Sequence, residues 1–298
     1  MTSAIRPLAV RGAATAFPLV LVLAAGPALA QQPYEPQIGQ AGKDVVWVPT
    51  PEPLVERMLA MAQVGPGDVV FDLGSGDGRM VIAAAKRGAK AVGVEYNPDM
   101  VALARRNAER EHVPADKARF VQGDIFETDF SSATVVTLYL LPDLNLRLRP
   151  KLLQMRPGTR VVSHMFKMQD WEPDETSYLV NSPAYLWIVP ARVEGRWSFA
   201  LEGGDAYRID LEQQLQELSG AVELGTVMAG LRDLRLHGDA VSFAFVDGQG
   251  VLHDLEGKVT GSRMEGTFRA GARTGAWTAT RAEPKPLAGL QVSRVRIR

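Results

Sequence analysis

The chain has 298 residues, 46% of them hydrophobic, enough for a substantial buried core and for two domains. Its formal charge of -1 argues against a general nucleic-acid-binding surface. Cysteine is absent, which excludes disulfides, thiolate metal sites and cysteine nucleophiles, and four histidines without metal-type spacing give no metal site.

Arg6 and Arg11 precede an apolar run from Ala13 to Ala25, and Ala28-Leu29-Ala30 before Gln31 has the small-residue pattern of a signal-peptidase site. Residues 1–30 therefore read as a signal peptide, and the body of the protein is expected outside the cytoplasm, periplasmic or secreted. The run falls short of the ~20 residues of a membrane helix; were it kept as an anchor, the flanking arginines would still send the rest outward. Residues 31–46, rich in Gln, Pro and Gly, read as a linker. A helix then opens with Thr50 as the expected N-cap and Pro51 at its first position, with Leu54, Met58, Leu59 and Met61 on its apolar side.

The stretch Asp68 to Arg79, Asp-Val-Val-Phe-Asp-Leu-Gly-Ser-Gly-Asp-Gly-Arg, organises the first domain. Val69, Val70 and Phe71 have the composition of a buried parallel strand, and Met80 to Ala85 read as a helix. A strand turning at once into a helix aims unpaired N–H groups and the positive end of the helix dipole into one small space, and glycines let a ligand reach the backbone. The spacing decides the ligand class: a dinucleotide fingerprint needs a third glycine where Arg79 stands, so that pattern fails. The order Asp72-x-Gly74-x-Gly76-x-Gly78 instead resembles motif I of the class I S-adenosylmethionine (SAM) methyltransferases. The resemblance implies that Asp72, Gly74, Ser75, Gly76 and Gly78 hold the amino-acid end of SAM.

The second strand, Ala91 to Glu95, again ends on a carboxylate. A ribose offers two hydroxyl donors and a carboxylate accepts both, so Glu95 is the expected ribose ligand, against the reading of a solvated strand-end acid. Asn97 caps and Pro98 starts a helix to about Glu111. Phe120 and Val121 form the third strand, followed by Asp124 and Ile125. The family resemblance implies that Asp124 accepts the adenine amino group and Ile125 packs on the ring; a plain turn aspartate is the competing reading.

The fourth strand, Ala133 to Leu138, leads to Tyr139 and Asn145. Ligands in open parallel sheets sit beyond the carboxyl ends of the strands, so these two are the polar groups expected to meet the methyl acceptor, with a core tyrosine as the rival reading. Arg147, Arg149, Lys151, Arg156 and Arg160 read as a solvated basic face, with a surface for an anionic partner as the rival reading. Arg160 to His164 is the fifth strand, and His164 is a third catalytic candidate, for proton removal, although a lone histidine is often structural. A hairpin of Tyr178–Val180 and Tyr185–Val189 closes the sheet.

Five strand-helix units with an antiparallel ending look like the seven-stranded Rossmann-like sheet of the class I methyltransferases, over residues 47–190. More narrowly, Val48-Pro49-Thr50-Pro51, the Asp72 to Arg79 loop and Tyr139-Leu-Leu-Pro142 resemble the ATP synthase c-subunit lysine N-methyltransferase family and its bacterial relatives. That resemblance implies methylation of a protein lysine. The protein's task would be to align nucleophile, methyl and sulfur, and to handle an amine whose neutral form lies about 3.4 pK units, or ~4.6 kcal/mol, uphill at pH 7.

Residues 191–283 contain no proline and half of the 28 glycines, a shift that marks a second domain. Alternation in Trp197-Ser-Phe199-Ala-Leu201 and Val241-Ser-Phe243-Ala-Phe245, with glycine turns, predicts an antiparallel meander curled into a small barrel. Leu211, Leu215 and Leu218 fit a helix as well. The barrel's apolar face lines a ligand cavity or forms a filled core that packs on the first domain or on a cell-envelope partner. Residues 284–298 are a short basic tail. The second functional reading is an exported non-catalytic nucleoside- or partner-binding protein on a methyltransferase fold.

Overall fold

A computed structural model describes residues 1–2 and 34–281; the expected signal peptide, beyond its first two residues, and the basic tail lie outside the described residues. The expected α/β sheet is present with seven strands: β1 (Val69–Leu73), β2 (Lys90–Glu95), β3 (Ala118–Gln122), β4 (Val135–Leu138), β5 (Arg160–His164), β6 (Glu175–Leu179) and β7 (Ser182–Ile188). Their order is β3-β2-β1-β4-β5-β7-β6, all parallel except β7, which runs antiparallel to both neighbours. Because β1 pairs with β2 on one side and β4 on the other, the chain reverses its winding at β1. A crevice therefore opens beyond the carboxyl ends of these strands.

Helices α1 (Glu52–Met61), α2 (Arg79–Lys86) and α3 (Pro98–Arg110) pack on one face, and α4 (Pro142–Leu152) on the other. Alternation along β1 shows how one strand serves two cores: Val70 joins the α1–α3 side, while Phe71 and Leu73 join the α4 side with Trp171 and Trp187. Trp187 Nε1 donates to the Trp171 carbonyl at 2.7 Å, so the polar handle of that indole is satisfied.

Three local expectations change. Only α2, α3 and α4 fill crossovers; β3 reaches β4, and β5 reaches β6, without a helix. Thr50 is not the cap of α1: Pro51 holds that position without a side-chain bond, and the Thr50 hydroxyl turns to His164. Nor is the basic segment simply solvated. Arg147 lies 3.8 Å over the Phe126 ring, Lys151 donates to the carbonyls of Phe126 (2.7 Å) and Thr128 (3.1 Å), and Arg149 and Arg160 pair with Asp170 and Asp68. Each cation ties α4 or β5 to a neighbouring loop.

The second sheet is antiparallel: β8 (Gly195–Leu201), β9 (Ala206–Gln214), β10 (Glu217–Leu224), β11 (Val227–Gly230), β12 (Arg232–His237), β13 (Ala240–Val246), β14 (Leu252–Thr260), β15 (Arg263–Ala270) and β16 (Arg273–Thr280). In its order, β11-β10-β9-β8-β16-β15-β14-β13-β12, the two ends come close together, β12 lying near β10 and β13 near β11, and the Leu231 N–H extends the β10–β11 ladder by donating to the Gly220 carbonyl at 2.9 Å. The ambiguous leucines belong to the β9–β10 hairpin, with Leu215 at its turn (φ 58°). The interior is a filled core: Trp197, Phe199, Phe243, Phe245 and Trp277 are buried, with Phe199 edge-on to Phe243 and Phe245 at 5.9 Å. The two sheets meet through backbone and side chains: the Ala191 N–H donates to the Gly238 carbonyl at 2.8 Å, Gln216 donates to the Glu172 carbonyl at 2.8 Å, and Leu215 packs on the α4-side core.

Candidate active site

At the carboxyl end of β1, Asp72 is buried and accepts a hydrogen bond from the Thr137 hydroxyl of β4 at 2.6 Å. Burial pushes its carboxyl up to about 7, the Thr137 bond opposes the rise, and the nearby Glu95 and Asp77 charges add to it. The chain then turns through glycines. Gly76 has φ +51°, and a Cβ built there would lie 2.8 Å from Trp47 Nε1, so only a bare backbone fits under that indole.

Glu95 at the end of β2 braces this turn. One carboxylate oxygen accepts the Gly76 N–H at 3.0 Å and the other accepts the Asn97 N–H at 2.9 Å. Each oxygen has a second lone pair, so the pair of hydroxyls of a ribose can still be received. Asn97 in turn caps α3 as expected, accepting from Asp99 N at 2.9 Å. Beyond β3, Asp124 accepts the Phe126 N–H at 2.8 Å and pairs with Lys43, which holds its carboxyl below the ordinary carboxylate range.

Asp72, Gly74, Ser75, Gly76, Glu95, Asp124, Ile125 and Tyr139 all line one cleft, which encloses about 1090 Å³ including its open mouth. Three of the expected residues stand elsewhere. Gly78 (φ +85°) turns the chain into α2, where a Cβ would lie 2.7 Å from the Phe120 ring, so its smallness serves helix packing rather than the cleft wall. Asn145 is wholly buried on the inner face of α4, donating weakly to Ser163 Oγ (3.3 Å) and the Phe166 carbonyl (3.4 Å). It ties α4 to the end of β5. His164 lies behind the cleft wall, 2% exposed, its ring centroid 3.8 Å from that of Tyr139 and its Nδ1 3.1 Å from Thr50 Oγ1. Burial pushes His164 down to about 4, leaving a neutral imidazole, and likewise pushes the Tyr139 hydroxyl up from its ordinary value.

The cleft also holds residues that sequence reasoning passed over. The stretch expected as a linker folds back as a small hairpin: Gly39 N–H donates to the Trp47 carbonyl at 2.8 Å, Trp47 N–H returns to Gln40 at 2.9 Å, and Ala41 bridges Val46. Residues 40–48 wall the cleft, with Lys43 also 4.7 Å from the centre of the Tyr96 ring. Trp47, the lone tryptophan near a Gln/Pro/Gly-rich stretch, was the available signal. Ser75 Oγ is buried without a hydrogen-bond partner among the described residues, against Gly93 of β2, where an added Cβ would lie 2.6 Å from it.

These parts would suit an adenosyl donor: Glu95 keeps lone pairs for a pair of ribose hydroxyls, and Asp124, Ile125, Asp72 and the bare glycine turn line the same cleft. Strand order and cleft together define a class I SAM-dependent methyltransferase. A family model described as the ANTKMT methyltransferase domain matches residues 72–175. A protein-lysine N-methyltransferase of Saccharolobus islandicus is 46% identical over 152 residues, 49% of this chain and 94% of that protein. The human ATP synthase c-subunit lysine N-methyltransferase is 37% identical over 132 residues, 44% of this chain and 56% of that protein, so the chain spans little more than half of that relative. Among solved structures, an RNA methyltransferase from Salinibacter ruber in complex with S-adenosyl-L-homocysteine is 54% identical, covering 49% of this chain and 96% of that chain, with a TM-score of 0.48. The chain belongs to the family of class I SAM-dependent methyltransferases that holds these lysine N-methyltransferases.

Proposed function

We propose that the protein transfers the methyl group of SAM to a lysine side chain of a protein, and does so outside the cytoplasm. The 46% identity with the Saccharolobus lysine methyltransferase, over nearly all of that protein, carries the choice of acceptor. Export is supported by Arg6, Arg11, the apolar run and Ala28-Leu29-Ala30.

When bound, SAM supplies a methyl group already activated on a sulfonium. The residues of this chain have the simpler task of holding and screening. Asp72 and the glycine turn take the amino-acid end, Glu95 the ribose, and Asp124 with Ile125 the nucleobase. Tyr139 stands at the β4 end, where the acceptor nitrogen must come. With its hydroxyl kept protonated by burial, it orients the amine by hydrogen bonding and does not serve as a base. The amine therefore gives its proton to water at the open mouth. Below the ordinary lysine value of ~10.4, kcat/KM is expected to rise roughly tenfold per pH unit.

Methyl-labelled SAM, added to cell-envelope extract with the wild-type protein or Asp72→Ala, tests the assignment. A labelled protein band that yields methyllysine on hydrolysis and is lost with Asp72→Ala supports it. Label found only in RNA overturns the acceptor, and cell fractionation that finds the chain in the cytoplasm overturns the export.

A further inference from the structure

A chain of contacts links the glycine turn to the acceptor side of the cleft. The Asp77 carboxylate, inside the turn, grips the Arg79 guanidinium (Nε–Oδ1 3.0 Å, Nη2–Oδ2 2.6 Å). Arg79 Nη1 donates to the Thr50 carbonyl at 2.9 Å. The Thr50 hydroxyl meets His164 Nδ1 at 3.1 Å, and the His164 ring lies against that of Tyr139 at 3.8 Å between centroids, tilted by 38°. Asp77, Arg79, Thr50 and Tyr139 all line the cleft, whereas His164 is 2% exposed and stands behind it.

The chemistry of His164 fixes the direction of its bond to Thr50. Nε2 is buried with no hydrogen-bond partner among the described residues. If Nε2 carried the ring proton, a buried N–H donor would be stranded; a stranded lone pair is the cheaper arrangement. The arrangement with the fewest stranded donors has the proton on Nδ1, donated to Thr50 Oγ1, with the Thr50 hydroxyl proton free to reach the cleft that this residue lines. This single bond sets the rotation of an imidazole that has no other polar tether among the described residues, and Tyr139 rests on the imidazole.

We propose that Thr50 is a positioning residue for methyl transfer: by holding the His164 ring, and being held itself by Arg79 from the glycine turn, it sets the pose of Tyr139 toward the acceptor. The role predicts a split between catalysis and binding. Thr50→Val keeps the shape and removes the hydroxyl, so Tyr139 loses its fixed backing and kcat falls on the order of tenfold. The dissociation constant for S-adenosyl-L-homocysteine stays within about twofold. Thr50→Ser restores the hydroxyl and the rate.

The proposal rests on the methyltransfer reading, so one measurement is chosen that needs no acceptor. Nitrogen-15 NMR of histidine-labelled full-length protein reads the tautomer of His164. The wild type and Thr50→Ser are expected as the Nδ1–H form, and S-adenosyl-L-homocysteine binding should shift the His164 signals although the ring is outside the cleft. Thr50→Val should lose both the single tautomer and that response. A wild-type Nε2–H tautomer, a Thr50→Val kcat within about twofold of wild type, or a loss of cofactor affinity matching the loss of rate would each overturn the role. Absence of any labelled acceptor with the NMR response intact would instead strike only the function assigned above.

Discussion

Asp72 and Thr137, 65 residues apart in sequence, meet across β1 and β4 through a 2.6 Å hydrogen bond at the floor of the cleft. The bond partly offsets the burial that lifts the Asp72 carboxyl to about 7, and so tunes the charge that a cationic ligand end would meet.

A bound ammonium group favours ionised Asp72, so binding of S-adenosyl-L-homocysteine should release a proton near neutral pH. Affinity is expected to rise with pH up to about 7 and then level off. Calorimetry in buffers of different ionisation enthalpy measures the released proton. Thr137→Val removes the bond that lowers the carboxyl, so the levelling point should move to higher pH; Asp72→Asn should remove the pH dependence and cost at least about tenfold in affinity.

Asp72 and His164 should pull stability in opposite directions with pH. Asp72 rises from 3.8 to about 7 on folding, so the native state holds an extra proton between those values and loses stability as pH climbs through them. His164 falls from 6.5 to about 4, so the unfolded state holds the extra proton and stability grows as pH climbs through that window. Between about pH 4 and 6.5 the two contributions largely cancel. Asp72→Asn should unmask a rise in urea-measured stability on the order of 2 to 3 kcal/mol across this range, and His164→Gln a fall of similar size. Matching flat profiles for both variants would refute the pairing.

The hairpin of residues 39–47 should matter to the cofactor and little to the sheet. A chain beginning at Trp47 is expected to keep the far-ultraviolet spectrum of the full protein while binding S-adenosyl-L-homocysteine roughly tenfold more weakly, since one wall of the cleft is gone. Lys43→Ala should leave the thermal unfolding midpoint almost unchanged, because its pair with Asp124 is exposed to solvent screening.

Gly76→Ala places a methyl against Trp47 Nε1 in a backbone conformation that side chains resist. A loss of about 1 to 3 kcal/mol in stability is expected, with a larger loss in cofactor binding, read together by thermal unfolding with and without S-adenosyl-L-homocysteine.

How much was legible in the chain itself depends on the range of each interaction. The strand-turn-helix at Asp72, the cap at Asn97, the carboxylates at successive strand ends and the period-two strands of the second sheet are matters of neighbouring residues. Turn chemistry, capping and side-chain periodicity act over a few positions, so the residues alone determined them. The basic segment after Tyr139 shows the limit. Its composition announced charge, yet Lys151 and Arg149 are anchored to loops 25 and 21 residues away, partners that no local pattern names.

The tertiary structure alone decided which of the expected groups share the cleft. Lys43 reaches Asp124 across 81 residues and Thr50 reaches His164 across 114, while Asn145, close to Tyr139 in sequence, falls on the buried face of α4. A helix advances side chains by about 100° per residue, so nearness in sequence does not choose the face that meets the cleft. That choice belongs to packing: apolar faces must be buried, and the polar groups they carry inward become tethers such as Asn145 and His164, leaving Tyr139 and the strand-end acids to line the cleft.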